Sequence, residues 1–323
     1  MAKDSIAAES HQPPLLSVVI PVKDEADGLD RLFDALMPVL DGITDDVELL
    51  FINDGSDDRT VEMLAARRAD DPRIRILDLS RNFGKEAALT AGLHHATGQA
   101  VVTMDADLQD PPDLIAEMVA AWREGAEMVT ARRTSRSTDS FMKRFTANGF
   151  YRLFNRISDT QLPTNAGDYR LFDRAVVEAF RQLGERTRFN KGLFAWLGFR
   201  QTFVYHERPP GTRDESRWKP LKLITFAVDG ILSFSTLPVR LFTIGGLIVA
   251  VLALGFALWI VLATLLFGRD VPGYASMMVS ILLIGGINMF GIGLLGEYVG
   301  RTFTETKQRP LYLVRRDIGG PDE

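Results

Sequence analysis

Two rhythms divide the chain. From Ser17 to about residue 220, short apolar runs alternate with amphipathic stretches; beyond that, two long apolar stretches run without a charge. In the first part, Ser17–Val22 (SVVIPV) is apolar, β-branched and stopped by charge, which predicts a strand. Leu29–Leu40 places apolar residues at 29, 32, 33, 36, 37 and 40, the stripe of an amphipathic helix. The same alternation then predicts a strand over Val47–Ile52, a helix over Val61–Ala69, a strand over Arg73–Leu79 and a helix over Gly84–Ala96. A strand over Ala100–Asp107, a helix over Pro111–Gly125 and a strand over Ala126–Ala131 follow. The Asn53–Thr60 segment (NDGSDDRT) is turn and helix-cap chemistry. Pro at the start and Gly at the end of 111–125 suit a helix.

Strands alternating with helices predict a parallel sheet with crossover helices. The strand runs are almost continuously apolar, as expected for a sheet covered on both faces. Ligands of such sheets bind beyond the carboxyl ends of the strands. The polar clusters fall there: Lys23–Glu25, Asn53–Asp58 and Asp105–Asp110.

Composition narrows the function classes. A net charge of −5 over 323 residues gives no reason to expect nucleic acid as a partner. The absence of cysteine removes disulfides, thiolate metal sites and a cysteine nucleophile. The first 15 residues are polar with a Pro pair and read as a loose tail, without a signal-peptide core.

The chemistry concentrates in VTMDADLQDPPDL, 102–114. Asp105 and Asp107 are one residue apart, on the same side of an extended chain. Neighbouring carboxylates repel unless a cation lies between them. A hard divalent ion such as Mg²⁺ accepts one or two carboxylates and completes its shell with phosphate oxygens and water. The alternative is a capping and turn role, common for aspartate. Gly84-Lys85 is not a phosphate loop, because Leu79 stands where the first glycine is needed and Glu86 where Ser or Thr is needed. His94 and His95, adjacent on a helix, point apart, cannot pair as ligands and are expected to have a structural or solvent role.

The ordered set VVIPVKDE, FINDGSDDRT, LSRNFGKEAALTAGL, MDADLQDPP and AGDYRLFDR resembles family 2 glycosyltransferases of the GT-A fold. More narrowly it is similar to the polyprenyl-phosphate glycosyltransferases, both bactoprenol-glucosyltransferase-like and dolichyl-phosphate-mannose-synthase-like. The resemblance covers about Ser17 to Arg316. The first motif departs from the usual Tyr-Asn-Glu, reading Lys23-Asp24-Glu25. The resemblance implies a GT-A, Rossmann-like, mostly parallel sheet. It implies that Pro21, Glu25 and Asp54 hold the nucleoside, with Lys85 near the nucleotide. It further implies that Asp105 and Asp107 handle the diphosphate and a Mg²⁺ or Mn²⁺ ion, with Gln109 near the sugar. Asp168 either positions a substrate or is a turn aspartate paired with Arg170.

The uncharged stretches between Arg240 and Arg269 and between Asp270 and Glu297 each exceed the roughly 20 residues that span a bilayer. Basic residues flank the outer ends, including Arg213, Lys219 and Lys222 before and Arg301, Lys307 and Arg309 after. The positive-inside rule then predicts that both ends and the catalytic domain face the cytoplasm, and the resemblance implies that the membrane is the bacterial inner membrane. Gly286, Gly293 and Gly300 recur on one helix face, with Gly296 close by; they let the hairpin pack on itself or on a second copy of the chain. Residues 217–240 carry an apolar stripe and read as a helix in the membrane interface. Arg208, Gly211, Ser216 and Arg217 resemble the family's Arg-x-x-Gly-x-Ser-Lys element, with an insertion around Thr212–Asp214.

The expected organisation is a tail over 1–15, a catalytic domain over 16–212 and a juxtamembrane segment over 213–240. Membrane helices over 241–268 and 274–300 and a cytoplasmic tail over 301–323 complete it. The expected activity is inverting transfer of a sugar, glucose from UDP-glucose first, to a polyprenyl phosphate. Arg132, Arg144, Arg208, Arg217 and Arg240 are the candidates for the acceptor phosphate, whose oxygens a guanidinium fork matches. An amino sugar, aminoarabinose or mannose donor, a processive polysaccharide synthase and a non-catalytic scaffold are the alternatives. The donor site is expected to be built from strand ends in the first half of the chain alone.

Overall fold

The computed structural model describes residues 14–134, 155–156, 166–186, 188–206, 237–267 and 273–320. The first half follows the expected alternation: β1 (Leu16–Val22), α1 (Leu29–Asp41), β2 (Val47–Asn53), α2 (Thr60–Asp70), β3 (Ile74–Leu79), α3 (Lys85–His95), β4 (Ala100–Thr103), α4 (Leu114–Arg123) and β5 (Met128–Arg133). It continues with β6 (Ala166–Asp173), α5 (Arg174–Arg181), α6 (Asn190–Trp196), β7 (Gln201–His206), α7 (Leu237–Phe267), α8 (Tyr274–Thr306) and β8 (Val314–Ile318).

Among the described residues, eight strands join one sheet in the order β7-β5-β6-β4-β1-β2-β3-β8. β4, β1, β2 and β3 run parallel, β6 lies antiparallel between β4 and β5, β7 runs parallel to β5, and β8 lies antiparallel on the far edge. The sheet is thus mixed, mostly parallel, with helices on both faces.

Period-2 alternation divides the core. Val18 and Ile20 of β1 face a cluster with Leu29, Leu32, Phe33 and Leu36 of α1, while Val19 between them faces Ala88, Leu89 and Ala91 of α3. Gly92 lets α3 settle on β1, because a Cβ there would collide with the Val19 side chain.

Three expectations change. The fourth strand ends at Thr103 rather than Asp107; the chain turns through Ala106 and Asp107, and Leu108 takes φ 54°, so the two aspartates sit on a turn, not on an extended strand. The fifth strand is displaced to 128–133. The segment read as a tail over 301–323 is two things: α8 runs on to Thr306, and residues 314–318 return to the sheet as its edge strand.

α7 and α8 are long and apolar enough to cross a membrane, and their apolar side chains lie exposed. At about 1.5 Å per residue, the 31 residues of α7 reach ~46 Å, beyond a hydrocarbon core of roughly 30 Å. The hairpin touches itself where Phe242 packs on Gly291 and Phe290. Among the described residues, added Cβ atoms at Gly286, Gly293, Gly296 or Gly300 would meet nothing within 4 Å, and Gly286 lines the hollow beside Phe242. The proposed interfacial helix lies outside the described residues up to residue 236.

Candidate active site

A cleft of about 460 Å³ opens at the carboxyl ends of β1, β2 and β4. Pro21, Val22, Lys23 and Glu25 form one wall, Asp54 and Asn82 another, and Gly84, Lys85, Asp105, Ala106 and Asp107 its floor and mouth. This is where a parallel sheet leaves its strand ends open to a ligand.

Local hydrogen bonds fix the first two walls. The amide of Asp24, a residue at φ 54°, donates to Ser56 Oγ (2.9 Å), the Asp57 amide donates to Asp24 Oδ1 (2.8 Å), and the Glu25 amide donates to Thr60 Oγ1 (3.0 Å). Lys23 Nζ donates to the Gly55 carbonyl (2.9 Å). Gly55 is needed here: its φ is +67°, and a Cβ would lie 2.6 Å from the Asn82 amide nitrogen. Asp54, only 5 % exposed, accepts from the amides of Phe83 (2.7 Å) and Gly84 (2.9 Å). Burial raises the Asp54 pKa, opposed by these two amides. Asp54 therefore lines the cleft and also shapes the turn that carries Lys85.

The charged centre joins three elements. Lys85 Nζ, at the start of α3, lies 2.6 Å from the Asp105 carboxylate and 3.2 Å from that of Asp168 on β6. Lys191, on α6, lies 3.5 Å from Asp168. Desolvation works to lower the Lys85 pKa, but Asp105 and Asp168 outweigh it and hold the ammonium above its ordinary value. Desolvation raises Asp105, and Asp168 and Asp107 add to it against the pull of Lys85. For Asp168 desolvation is outweighed by Lys191, Lys85 and Arg170, which keep it well below the usual carboxylate range. Asp168 thus has Lys85 and Lys191 as ion-pair partners, and Arg170 also acts on its charge.

Asp107 Oδ1 accepts the Gln109 amide (3.1 Å), closing the turn. Asp110 pairs with His206 Nε2 (2.9 Å) at the end of β7, and Tyr169 Oη donates to the Pro111 carbonyl (3.2 Å). The motif after β4 is thus tied to the second half of the sheet.

The sequence-derived residues divide accordingly. Pro21, Glu25, Asp54, Lys85, Asp105 and Asp107 line one cleft, and Asp168 meets it through Lys85. Arg132 lies near the end of β5, its guanidinium 5.3 Å from the Phe203 ring centre. Arg144, Arg208 and Arg217 lie outside the described residues; Arg240 belongs to α7, but its side chain is likewise outside the description. Sequence reasoning missed Lys191 and Glu86. The Glu86 carboxyl is raised to about 7 by burial, reinforced by Asp168, while the Asn190 amide donates to it (3.1 Å). No local pattern marks either residue; only the packing of α6 on α3 does.

A mixed, mostly parallel sheet with its cleft at the strand ends and an Asp-x-Asp turn beside it is the architecture of the GT-A fold. The chain belongs to glycosyl transferase family 2, whose model matches residues 17–181. An uncharacterized glycosyltransferase of Synechocystis is 50 % identical over 93 % of this chain and 94 % of that protein. A prophage bactoprenol glucosyl transferase homolog of Escherichia coli is 44 % identical over 93 % of this chain and 98 % of its own length. The bactoprenol glucosyl transferase of Shigella phage SfX is also 44 % identical, over 93 % and 98 %. The protein is a glycosyltransferase, and the share of the chain that these relatives match is too large to leave out the apolar helices α7 and α8.

Proposed function

We propose that the chain transfers glucose from UDP-glucose to a polyprenyl phosphate, with inversion at the anomeric carbon, at the cytoplasmic face of the bacterial inner membrane. The observation that carries the reading is the Lys85–Asp105–Asp168 centre at the mouth of the cleft, on a chain with two membrane-length helices. The names and full-length match of the bactoprenol glucosyl transferases support the sugar and the lipid.

The reaction is a single displacement. An oxygen of the acceptor phosphate bonds to the anomeric carbon from the face opposite the diphosphate. The bond from that carbon to the β-phosphate oxygen breaks, and UDP leaves with the electron pair. The second pKa of a phosphate monoester is near 6, so the attacking oxygen is already anionic at neutral pH and no residue has to remove a proton. Asp168, held ionised, is given a positioning role toward the transferred sugar, together with Gln109. Pro21, Glu25 and Asp54 take the nucleoside, and the Lys85 ammonium faces the diphosphate. Arg132, Arg144, Arg208, Arg217 and Arg240 are proposed for the acceptor phosphate.

The donor set fits a divalent cation. Asp105 and Asp107 are hard oxygen donors in one cleft, and among the described residues no group of three or more His, Cys, Asp or Glu side chains holds a metal by itself. Two carboxylates with the remaining ligands from phosphate and water is the mode of binding that Mg²⁺ or Mn²⁺ favours. When bound, such an ion stabilises negative charge on the departing diphosphate. The glycine face of α8 is proposed to meet a second copy of the chain.

The donor is tested by offering radiolabelled nucleotide-sugars to membranes carrying the protein and extracting the lipid. Label from UDP-glucose should enter the lipid fraction well above UDP-N-acetylglucosamine, UDP-aminoarabinose or GDP-mannose. Preferential labelling from any of the others refutes the glucose assignment.

A further inference from the structure

We propose that β8, the strand that follows the second membrane helix, is a working part of the donor cleft, and that Arg316 is the positioning residue through which it acts. The proposal rests on the reading of the cleft as a nucleotide-sugar site.

Asp78 of β3 is 2 % exposed and sits opposite Arg316 in the β3–β8 register. Arg316 donates to Asp78 Oδ2 through Nη2 (2.8 Å) and Nε (3.1 Å). The other carboxylate oxygen accepts from Asn53 Nδ2 (2.7 Å), and Asn53 Oδ1 accepts the Ser56 amide (3.1 Å). A continuous chain of hydrogen bonds therefore runs from the edge strand to the turn after β2 that carries Asp54.

A second route converges on the same place. The Ser80 amide donates to the Leu313 carbonyl (2.8 Å), and Arg315 Nη2 donates to the Ser80 carbonyl (2.6 Å). Ser80 begins the loop whose Phe83 and Gly84 amides bind Asp54. Both loops framing Asp54 are thus held by residues 313–316.

β8 does not look like a strand added for burial. Val314, Arg315 and Arg316 are exposed, and Ile318 alone of its side chains packs on the main core. Two of its polar attachments, Arg316 to Asp78 and Arg315 to Ser80, lie toward the carboxyl end of β3, where the cleft lies, while Asp317 holds Arg75 nearer the amino end. A buried carboxylate left without its cation is costly; relief by movement of Asp78 drags Asn53 and the Asp54 turn with it. The cleft is lined by first-half residues, as expected, but its geometry is completed only after both membrane helices have been made.

The test uses the full-length protein in detergent or nanodiscs. UDP affinity is measured by calorimetry, the Michaelis constants for donor and acceptor separately, and hydrogen exchange of peptides covering 53–57 and 80–85. Arg316→Ala should weaken UDP binding about three- to tenfold and raise the donor Michaelis constant. The acceptor Michaelis constant should stay unchanged, and exchange should be faster in both peptides. Arg316→Lys should restore part of the affinity, since one ammonium replaces a two-point fork. In an Asp78→Asn background, Arg316→Ala should add less than about twofold, because the route through Asp78 is already cut. Arg309→Ala, on the same segment, should match wild type. An Arg316→Ala protein with a lower melting temperature but wild-type UDP affinity and exchange overturns the proposal: β8 is then only a brace. If the wild-type protein binds no UDP, the reading of the cleft fails, and the exchange data alone decide whether Arg316 orders the two loops.

Discussion

Lys85 Nζ lies 2.6 Å from the Asp105 carboxylate, so one aspartate of the Asp-x-Asp pair already carries a cation of the protein's own. An ammonium and a divalent ion then compete for Asp105 unless a diphosphate draws them apart. Lys85→Ala should tighten Mn²⁺ binding to the nucleotide-free protein, measured by electron paramagnetic resonance, while lowering transfer about ten- to hundredfold for one lost charge-assisted contact. Weaker Mn²⁺ binding in the variant would show that Lys85 organises the metal site rather than competing for it.

Asp107 has a different part. Its carboxylate accepts the Gln109 amide, a bond that an Asn side-chain oxygen can keep, so the turn should survive Asp107→Asn. The charge does not survive. Transfer should fall about 10²- to 10³-fold, the usual loss when a group stabilising developing charge is removed, with unchanged circular dichroism. Near-normal turnover at saturating Mg²⁺ or Mn²⁺ would remove Asp107 from the proposed metal site.

Glu86 predicts a pH dependence of stability. Burial raises its carboxyl to about 7 from an ordinary value of 4.5. The native state thus favours the protonated acid, and this contribution is fully present below about pH 4.5 and lost as pH rises through 7. Glu86→Gln removes the loss. The variant should match wild type near pH 4.5 and exceed it at pH 8 by about 1–2 kcal/mol, discounted from the full shift because the side chain is partly solvated. Parallel urea midpoints for the two proteins across this range would mean that Glu86 is ionised without penalty.

The edge strand also carries stability through Asp317. Arg75, with its side chain 8 % exposed, donates to both carboxylate oxygens of Asp317 (2.7 and 2.9 Å) and to Glu48 (3.0 Å). Asp317→Ala leaves the buried guanidinium with Glu48 as its one ion-pair partner and the His95 carbonyl as a neutral acceptor. The cost should be about 2–3 kcal/mol, below the range for a fully orphaned buried charge, read from denaturant midpoints. A change under about 0.5 kcal/mol would show that Glu48 and the His95 carbonyl suffice.

How much of this could be read from the sequence depends on where each residue's partners lie. β1, β2 and β3 announce themselves as apolar runs because both faces are covered, and the rule that ligands sit at strand ends then brought Pro21, Glu25, Asp54, Lys85, Asp105 and Asp107 together. β4 was extended too far because Met104 and Ala106 continue its apolar character into the turn. β6 was hidden by polar residues: Arg170 is 2 % exposed in the sheet, which no periodicity announces. β8 reads VRRDI, a charged edge strand whose partners on β3 lie more than 200 residues earlier, with no hydrophobic alternation to mark it. Lys191 reaches Asp168 only because α6 packs beside the site.

The most direct measurement is the identity of both products from purified protein, UDP-glucose and polyprenyl phosphate. The account predicts one UDP released per lipid glucosylated, and a phosphodiester whose anomeric configuration is inverted relative to the donor, read by ³¹P and ¹H nuclear magnetic resonance. Release of UMP with a lipid pyrophosphate-sugar, a retained configuration, or a glucose polymer free of lipid would contradict it.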